Sequence, residues 1–273
     1  MQSIFRKRLI NRYSISSFTF FTFTLFISFF LSSSIIESIF LYDYSSGDLA
    51  GKGRLFLAKN YFSNATWELM VFDSMYYSLF IFTLPATLPV IQFYNEGRGY
   101  LLYTYGRVKN YKRMLYKTIL LYSFISGLCF ACPQLIFYIF TAWFNPNYVN
   151  ENLGIFKSVS AFLPANDAIS YFIYVCFIVN FLFGFIYGFF ACAVALWTEK
   201  AYFVVLIPFV YYLVLSNLAA SFHLELVSPL LGILYNSYSD VSISQISVPL
   251  LIPLLMGILL IMLHLRKGDK FGI

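Results

Sequence analysis

Charged side chains are scarce in this chain, and that scarcity argues against a soluble fold. Only 11% of its 273 residues are Asp, Glu, Lys or Arg, against roughly 25% in typical soluble domains. No stretch is rich enough in charge to form a separate water-soluble domain. The mean hydropathy of +0.75 points the same way. We therefore predict a single membrane domain spanning residues 1–273.

The sequence also lacks the motifs of a self-sufficient enzyme. It contains no G-x-x-x-x-G-K-[ST] phosphate loop and no H-E-x-x-H metalloprotease motif. The two histidines, His223 and His264, fall at opposite ends of predicted spans, about 30 Å of hydrocarbon apart, so they cannot share a metal. No ionisable residue lies deep in a predicted span, which disfavours an ion-coupled carrier. We expect no catalysis, metal or cofactor in this chain.

The four cysteines do not suggest a site. Cys129 and Cys132 form a C-x-x-C, but they lie inside a predicted span with no second Cys pair or His nearby. Packing is therefore favoured over a metal or redox role. Cys176 and Cys192, in another predicted span, are expected to pack as small apolar residues.

Long apolar runs are the feature that the chain has in abundance. A helix needs about 20 mostly apolar residues to cross the hydrocarbon core of a bilayer. Six uncharged runs qualify, at about residues 13–36, 74–94, 118–144, 168–196, 201–222 and 246–265. The first follows a basic segment but is too long for a signal peptide, which favours a retained anchor helix. We predict an all-α membrane protein with six transmembrane helices.

Basic residues are distributed unequally between the segments that link these spans. The segments that would share one side hold 14 of the 18 Lys and Arg residues, and the opposite segments hold 4. The positive-inside rule then places both termini in the cytoplasm of a multi-pass plasma membrane protein. The net charge of +6 reports topology and not nucleic-acid binding. Abundant Ile, Asn and Lys suggest AT-rich coding DNA and a bacterial cell membrane.

The links between the spans are predicted to differ in kind. Outer loops are expected at 37–73 and 145–167, and an inner loop at 95–117. The last outer segment, 221–245, contains an apolar piece at 229–235 that is too short to span and predicts a re-entrant or interfacial hairpin. At the other end of the chain, residues 1–13 alternate apolar and basic positions at helical spacing. That pattern predicts a helix lying on the inner membrane surface.

Proline and glycine mark positions of special backbone geometry within the spans. Pro85 and Pro89 in the second span and Pro133 in the third each remove a helix hydrogen bond. The resulting kinks are either hinges or static bends. Gly184 and Gly188 form a G-x-x-x-G in the fourth span, which allows close helix approach either within the chain or between two copies.

Near its start the inner loop has Glu96, which closes the second span, and Gly99 follows it. The apolar Leu101 and Leu102, then Arg107, and then a basic run ending in Lys117 at the start of the third span complete the pattern. This order of residues resembles that of ABC type-2 transporter permeases. Tyr100 opens the apolar segment, which is flanked by basic residues and too short to cross the membrane. The first outer loop is longer than the family pattern implies.

The resemblance implies the transmembrane subunit of an ABC exporter. Its partners would be a cytoplasmic ATPase, which binds the ATP and Mg, and a second copy or a related permease. Segment 100–105 would be a coupling helix docked on that ATPase, and the cargo an amphipathic or hydrophobic peptide or a lipid. Two alternatives stay open. The inner loop could instead be anchored at the lipid headgroups, and the chain could be a non-transporting scaffold, immunity or assembly protein that acts by binding.

Overall fold

The computed structural model describes residues 8, 10–33, 35–41, 53–64, 67–99, 110–144, 175–230 and 243–270, which are helical with no β-strand among them. The α-helices of this part of the chain are α1 (Arg12–Ser32), α2 (Arg54–Asn64), α3 (Trp67–Ser78), α4 (Thr83–Thr87), α5 (Val90–Arg98), α6 (Tyr111–Phe144), α7 (Phe181–Ala195), α8 (Ala201–Ser221) and α9 (Ile243–Lys270). Short π-helices lie at Glu37–Leu41 and Val175–Asn180, and 3-10 turns at Leu79–Ile81 and Glu225–Val227.

Five helical segments are long and apolar enough to cross a membrane, and they lie in α1, α6, α7 with the turn before it, α8 and α9. A sixth candidate consists of the segments Asp73–Ile81 and Thr83–Arg98, which are bent by 55° relative to each other. The prediction of an all-helical protein with several membrane-spanning helices is therefore confirmed at this level.

Two helices extend beyond the predicted spans into charged residues. α6 begins at Tyr111, so Lys112, Arg113 and Lys117 belong to a helix and not to the inner loop. α9 likewise continues to Lys270. Lysine and arginine are good helix formers. A charge therefore marks where a helix leaves hydrocarbon, and not where its hydrogen bonding stops.

The segment expected to be the first outer loop is partly helical. It contains the π-helix Glu37–Leu41, all of α2 and the first turns of α3. Several other predicted features lie outside the described residues: most of the N-terminal interfacial helix, the segment 100–109 of the inner loop, the second outer loop, and residues 231–235 of the hairpin.

α1 packs through a face that carries serines at both ends. Near its C-terminal end, Ser28 enters the hydrogen bonding of α3: its Oγ donates to the carbonyl of Asp73 at 3.1 Å and accepts from the N–H of Tyr77 at 3.0 Å. Ser32 donates to the same carbonyl at 2.6 Å. The small side chains let the two helices approach closely and connect them by backbone hydrogen bonds.

Pro85 and Pro89 each remove a helix hydrogen bond in the broken second span, and side chains of other helices donate to backbone carbonyls there. Pro89 has no N–H to donate to the carbonyl of Pro85, four residues earlier. Ser17 of α1 donates to that carbonyl instead, at 2.6 Å. Tyr212 of α8 donates to the carbonyl of Leu79, at 2.9 Å in the 3-10 turn. Such partners are what a non-helical segment needs at membrane depth.

α6 and α7 form the centre of the bundle through glycine contacts. A Cβ on Gly184 would lie 2.7 Å from the Cβ of Phe130 and 2.9 Å from the carbonyl oxygen of Ser126. A Cβ on Gly188 would overlap the side chain of Ser126. The G-x-x-x-G pair of α7 therefore lies against α6 of the same chain, where only glycine permits this separation.

Aromatic rings fill the space around this helix pair. Phe130 of α6 stacks on Phe21 of α1 with ring centroids 4.9 Å apart, and it contacts Phe183 of α7 at 5.0 Å. Phe82, between the two halves of the broken span, meets Phe21 and Phe130 edge to face. Phe21, Phe82 and Phe130 are fully buried. One aromatic cluster thus joins α1, the broken span, α6 and α7.

Candidate functional site

The most polar part of the described structure is one end of the bundle, here called the basic end. It is formed by the start of α1, the end of α5, the start of α6, the turn between α7 and α8, and the end of α9. Its basic residues with described side chains are Arg8, Arg12, Arg98, Lys112, Arg113, Lys117, Lys200 and Arg266. The ends of the undescribed segment 100–109 both lie here, at Gly99 and Asn110.

The cap of α1 sets the position of Arg8. Asn11 is the N-cap residue, and its Oδ1 accepts from the N–H groups of Tyr13 and Ser14, each at 2.9 Å. Its Nδ2 donates back to the carbonyl of Arg8 at 2.6 Å. Asparagine is among the preferred N-cap residues because it satisfies free N–H groups in this way. The same side chain here also fixes the residue that leads into the helix.

Arg8 forms a two-point ion pair with Glu96, near the end of α5. Its Nε donates to Oε1 at 3.2 Å and its terminal nitrogen lies 2.8 Å from Oε2. The hydroxyl of Tyr122 on α6 donates to Oε1 at 2.6 Å. The Arg8 and Glu96 side chains are 17% and 15% exposed, and Tyr122 is fully buried. Among the described residues, Oε1 of this largely buried carboxylate accepts from Arg8 and Tyr122, whereas Oε2 faces the positive charge of Arg8 without a hydrogen bond.

The end of α5 is also attached to the turn between α7 and α8. The Tyr94 hydroxyl donates to the carbonyl of Glu199. Arg98 donates to the carbonyl of Thr198 at 3.4 Å, and its guanidinium lies 5.0 Å from the centre of the Tyr94 ring. α5 then ends at Gly99, whose N–H donates to the carbonyls of Asn95 and Glu96.

The same turn contacts α9. The indole Nε1 of Trp197 donates to the carbonyl of Leu260 at 3.0 Å, and its ring meets that of His264 edge to face. The turn therefore links α5 on one side to α9 on the other. α1, α5, α6, α7, α8 and α9 all reach the basic end through these contacts.

The sequence-predicted coupling and hinge residues divide into three groups. Glu96, Gly99 and Lys117 lie at the basic end, Glu96 in the ion pair, Gly99 at the end of α5 and Lys117 exposed on α6. Tyr100, Leu101, Leu102 and Arg107 lie outside the described residues. The prolines are elsewhere: Pro85 and Pro89 in the broken span, and Pro133 inside α6.

Sequence analysis missed a buried amide pair. Asn180, at the end of the π-helix before α7, donates to Oε1 of Gln134, the residue after Pro133 in α6. Both side chains are 1% exposed. A π-helical turn and a proline thus meet at one polar contact. An Asn or Gln within an apolar run is the sequence signal that points to such a pair.

The described residues contain no group of His, Cys, Asp and Glu arranged to hold a metal ion. Cys129 is buried, and its Sγ lies 3.6 Å from the carbonyl of Ser14, within hydrogen-bond reach. His223 closes α8 with a φ of 55°. The N–H of Leu224 donates to the carbonyl of Ala219 at 2.8 Å, which completes this helix end.

Comparison with protein-family models, curated proteins and solved structures finds no match for this chain. The functional argument therefore rests on the residues and their geometry.

Proposed function

We propose that the chain is the transmembrane permease subunit of an ATP-driven ABC exporter. It works as a dimer with a second copy or a related permease, and a cytoplasmic ATPase binds the ATP and Mg. The observation that carries the proposal is the polar frame at the basic end. There the Arg8–Glu96 ion pair and the Tyr122 hydrogen bond hold the helices on both sides of segment 100–109. The sequence of that segment combines an apolar run with basic residues.

The orientation belongs to the same proposal. The basic end faces the cytoplasm of a bacterial plasma membrane, because Lys and Arg are retained on that side. Among described side chains at the opposite end, the basic residues are Arg54 and Lys59. Cysteines introduced at Gly47 and Asn152 should react with an impermeant thiol reagent on intact cells. A cysteine at Gly106 should not, and its labelling from outside would reverse the orientation.

Energy enters through the inner loop. ATP-driven closure of the ATPase pushes on segment 100–109, and the force reaches Glu96 at its start and α6 at its end. Glu96 passes the displacement to α1 through Arg8. Arg98 and Tyr94 pass it to the turn between α7 and α8, which contacts α9. Alternation of a cavity between inner and outer faces then moves an amphipathic or hydrophobic cargo, a peptide or a lipid, outward.

The break in the second span suits this motion. α5 is joined to the outer part of the span through a bend of 55°, so its displacement need not move α3 as one rigid rod. Pro85 and Pro89 remove the hydrogen bonds that would resist bending there.

A pull-down separates this proposal from its rivals. The tagged chain, extracted in mild detergent, should capture a cytoplasmic ATPase. Leu101→Asp and Arg107→Glu should weaken that capture while membrane insertion persists, because the remaining basic residues still fix topology. Undiminished capture by both variants would remove the coupling role of the segment. Capture of no ATPase by the parent chain would favour the scaffold or immunity function.

A further inference from the structure

We infer that Arg8 and Tyr122 are positioning residues for the inner loop: by holding the Glu96 carboxylate from two sides, they fix where segment 100–109 leaves the membrane domain. The inference deepens the proposed function and rests on it for the identity of the partner. The geometric part of the inference concerns this chain alone.

Glu96 lies close to the start of the loop. It lies three residues before Gly99, where α5 ends and the undescribed segment begins. Tyr122 lies in α6, the helix that follows the segment. One carboxylate therefore joins the helix before the loop to the helix after it, by a hydrogen bond of 2.6 Å.

Arg8 connects the N-terminal segment to this junction. Its backbone is held by Asn11, the cap of α1, and its guanidinium pairs with both carboxylate oxygens. The Arg8 Nε hydrogen bond to Oε1 and the ion-pair contact at Oε2 keep both carboxylate oxygens facing the guanidinium. Glu96 can therefore neither rotate away from Tyr122 nor follow a displaced loop without separating two charges.

The ion pair of Arg8 and Glu96 is mostly buried. An exposed ion pair contributes little, because water compensates each charge when the pair opens. A mostly buried pair behaves differently, because removing one partner leaves the other charge without compensation. Loss of Arg8 should therefore displace Glu96 toward water, and the start of the loop with it.

The decisive variants are matched in charge and location. Arg8→Glu removes the cation from the pair, and Glu96→Arg with Arg8→Glu restores the pair in reversed order. Tyr122→Phe removes only the hydroxyl. Arg12→Glu is the control, because Arg12 is exposed four residues away and its described hydrogen bond is to its neighbour Tyr13. Each variant is expressed as the full chain and assayed in inverted membrane vesicles.

Limited trypsin cleavage after Arg98, the last residue of α5, reports on the start of the loop without any partner. Cleavage of a protected segment rises with the population of its open form. We expect Arg8→Glu to raise the cleavage rate about tenfold or more, and Tyr122→Phe to raise it severalfold. The charge-reversed double variant should return to about the rate of Tyr122→Phe, because an arginine at position 96 cannot accept from the Tyr122 hydroxyl. Arg12→Glu should match the parent. A purely structural contribution of Arg8 would not be rescued by reversal.

The outcomes are separable. Parent-like cleavage in both Arg8→Glu and Tyr122→Phe, or a double variant cleaved as fast as Arg8→Glu, overturns the inference. ATPase capture by the same variants gives the second readout: the proposed function predicts weaker capture by Arg8→Glu and recovery in the double variant. The predicted cleavage pattern without ATPase capture by any variant contradicts the proposed function but supports the positioning role.

Discussion

The centre of the bundle and its basic end are held together by different forces. At the centre, α6 and α7 meet through glycine contacts and aromatic rings, and most of the residues in their apolar stretches are buried. At the basic end, helix ends meet through hydrogen bonds and one ion pair. Close-packed side chains have few alternative arrangements, whereas a polar group near water can exchange one hydrogen-bond partner for another. We expect the centre to determine stability and the basic end to determine loop position.

The largest effect is expected for Gly184→Ala in α7. The added methyl would meet the Phe130 side chain and the backbone of α6 within 3 Å, and backbone cannot move aside at low cost. Overpacking of this kind costs about 1–3 kcal/mol. Thermal unfolding in detergent should show a clearly lower midpoint. Gly53→Ala is the control, because the added Cβ would meet no atom of a non-neighbouring residue within 4 Å. Equal midpoints for the two variants would contradict the close packing of α6 and α7.

The amide pair offers a test within the same region. Gln134→Leu or Asn180→Leu leaves the remaining amide without its partner, which should cost about 1–2 kcal/mol. The double Leu variant should be destabilised by less than the sum of the single variants, since no buried amide then remains. A double-mutant cycle on unfolding midpoints measures this difference. Strict additivity would mean that the two side chains do not interact.

Ser17→Ala sharpens the comparison at the broken span. The substitution removes the donor to the Pro85 carbonyl in a buried setting, and a loss of about 1 kcal/mol is expected. Ser16→Ala is the matched control, since Ser16 is exposed on the same helix. Both midpoints should be compared in one detergent. A larger loss in the control would contradict the assignment of Ser17 to the break.

The smallest expected effect is a gain. His223 has a left-handed backbone at the end of α8, a conformation that costs a side-chain-bearing residue about 1 kcal/mol and glycine very little. His223→Gly should therefore raise the unfolding midpoint slightly, whereas His264→Gly, inside α9, should lower it. A lower midpoint for His223→Gly would point to a contact of the His223 imidazole.

The sequence predicted an all-helical protein with several long apolar helices, because the length and hydropathy of each run can be read from the order of its residues. The fifth span, expected at 201–222, is α8 at Ala201–Ser221. It could not predict which charges pair. Arg8 and Glu96 are 88 residues apart, and both were visible only as charges near one membrane surface. Nor could it predict that Ser17 would meet the carbonyl of Pro85, which depends on how α1 is rotated against the broken span.

Under the proposed function, this chain provides a membrane path and a coupling surface, while a partner provides the energy. The most direct measurement is ATP hydrolysis by the purified chain in lipid nanodiscs, alone and together with the ATPase that co-purifies with it. The account predicts no hydrolysis by the chain alone. It predicts activity in the complex that is lowered by Arg107→Glu and by Arg8→Glu, and partly restored in the Arg8→Glu, Glu96→Arg double variant. Hydrolysis by the isolated chain, or a complex whose activity is indifferent to all of these changes, would contradict it.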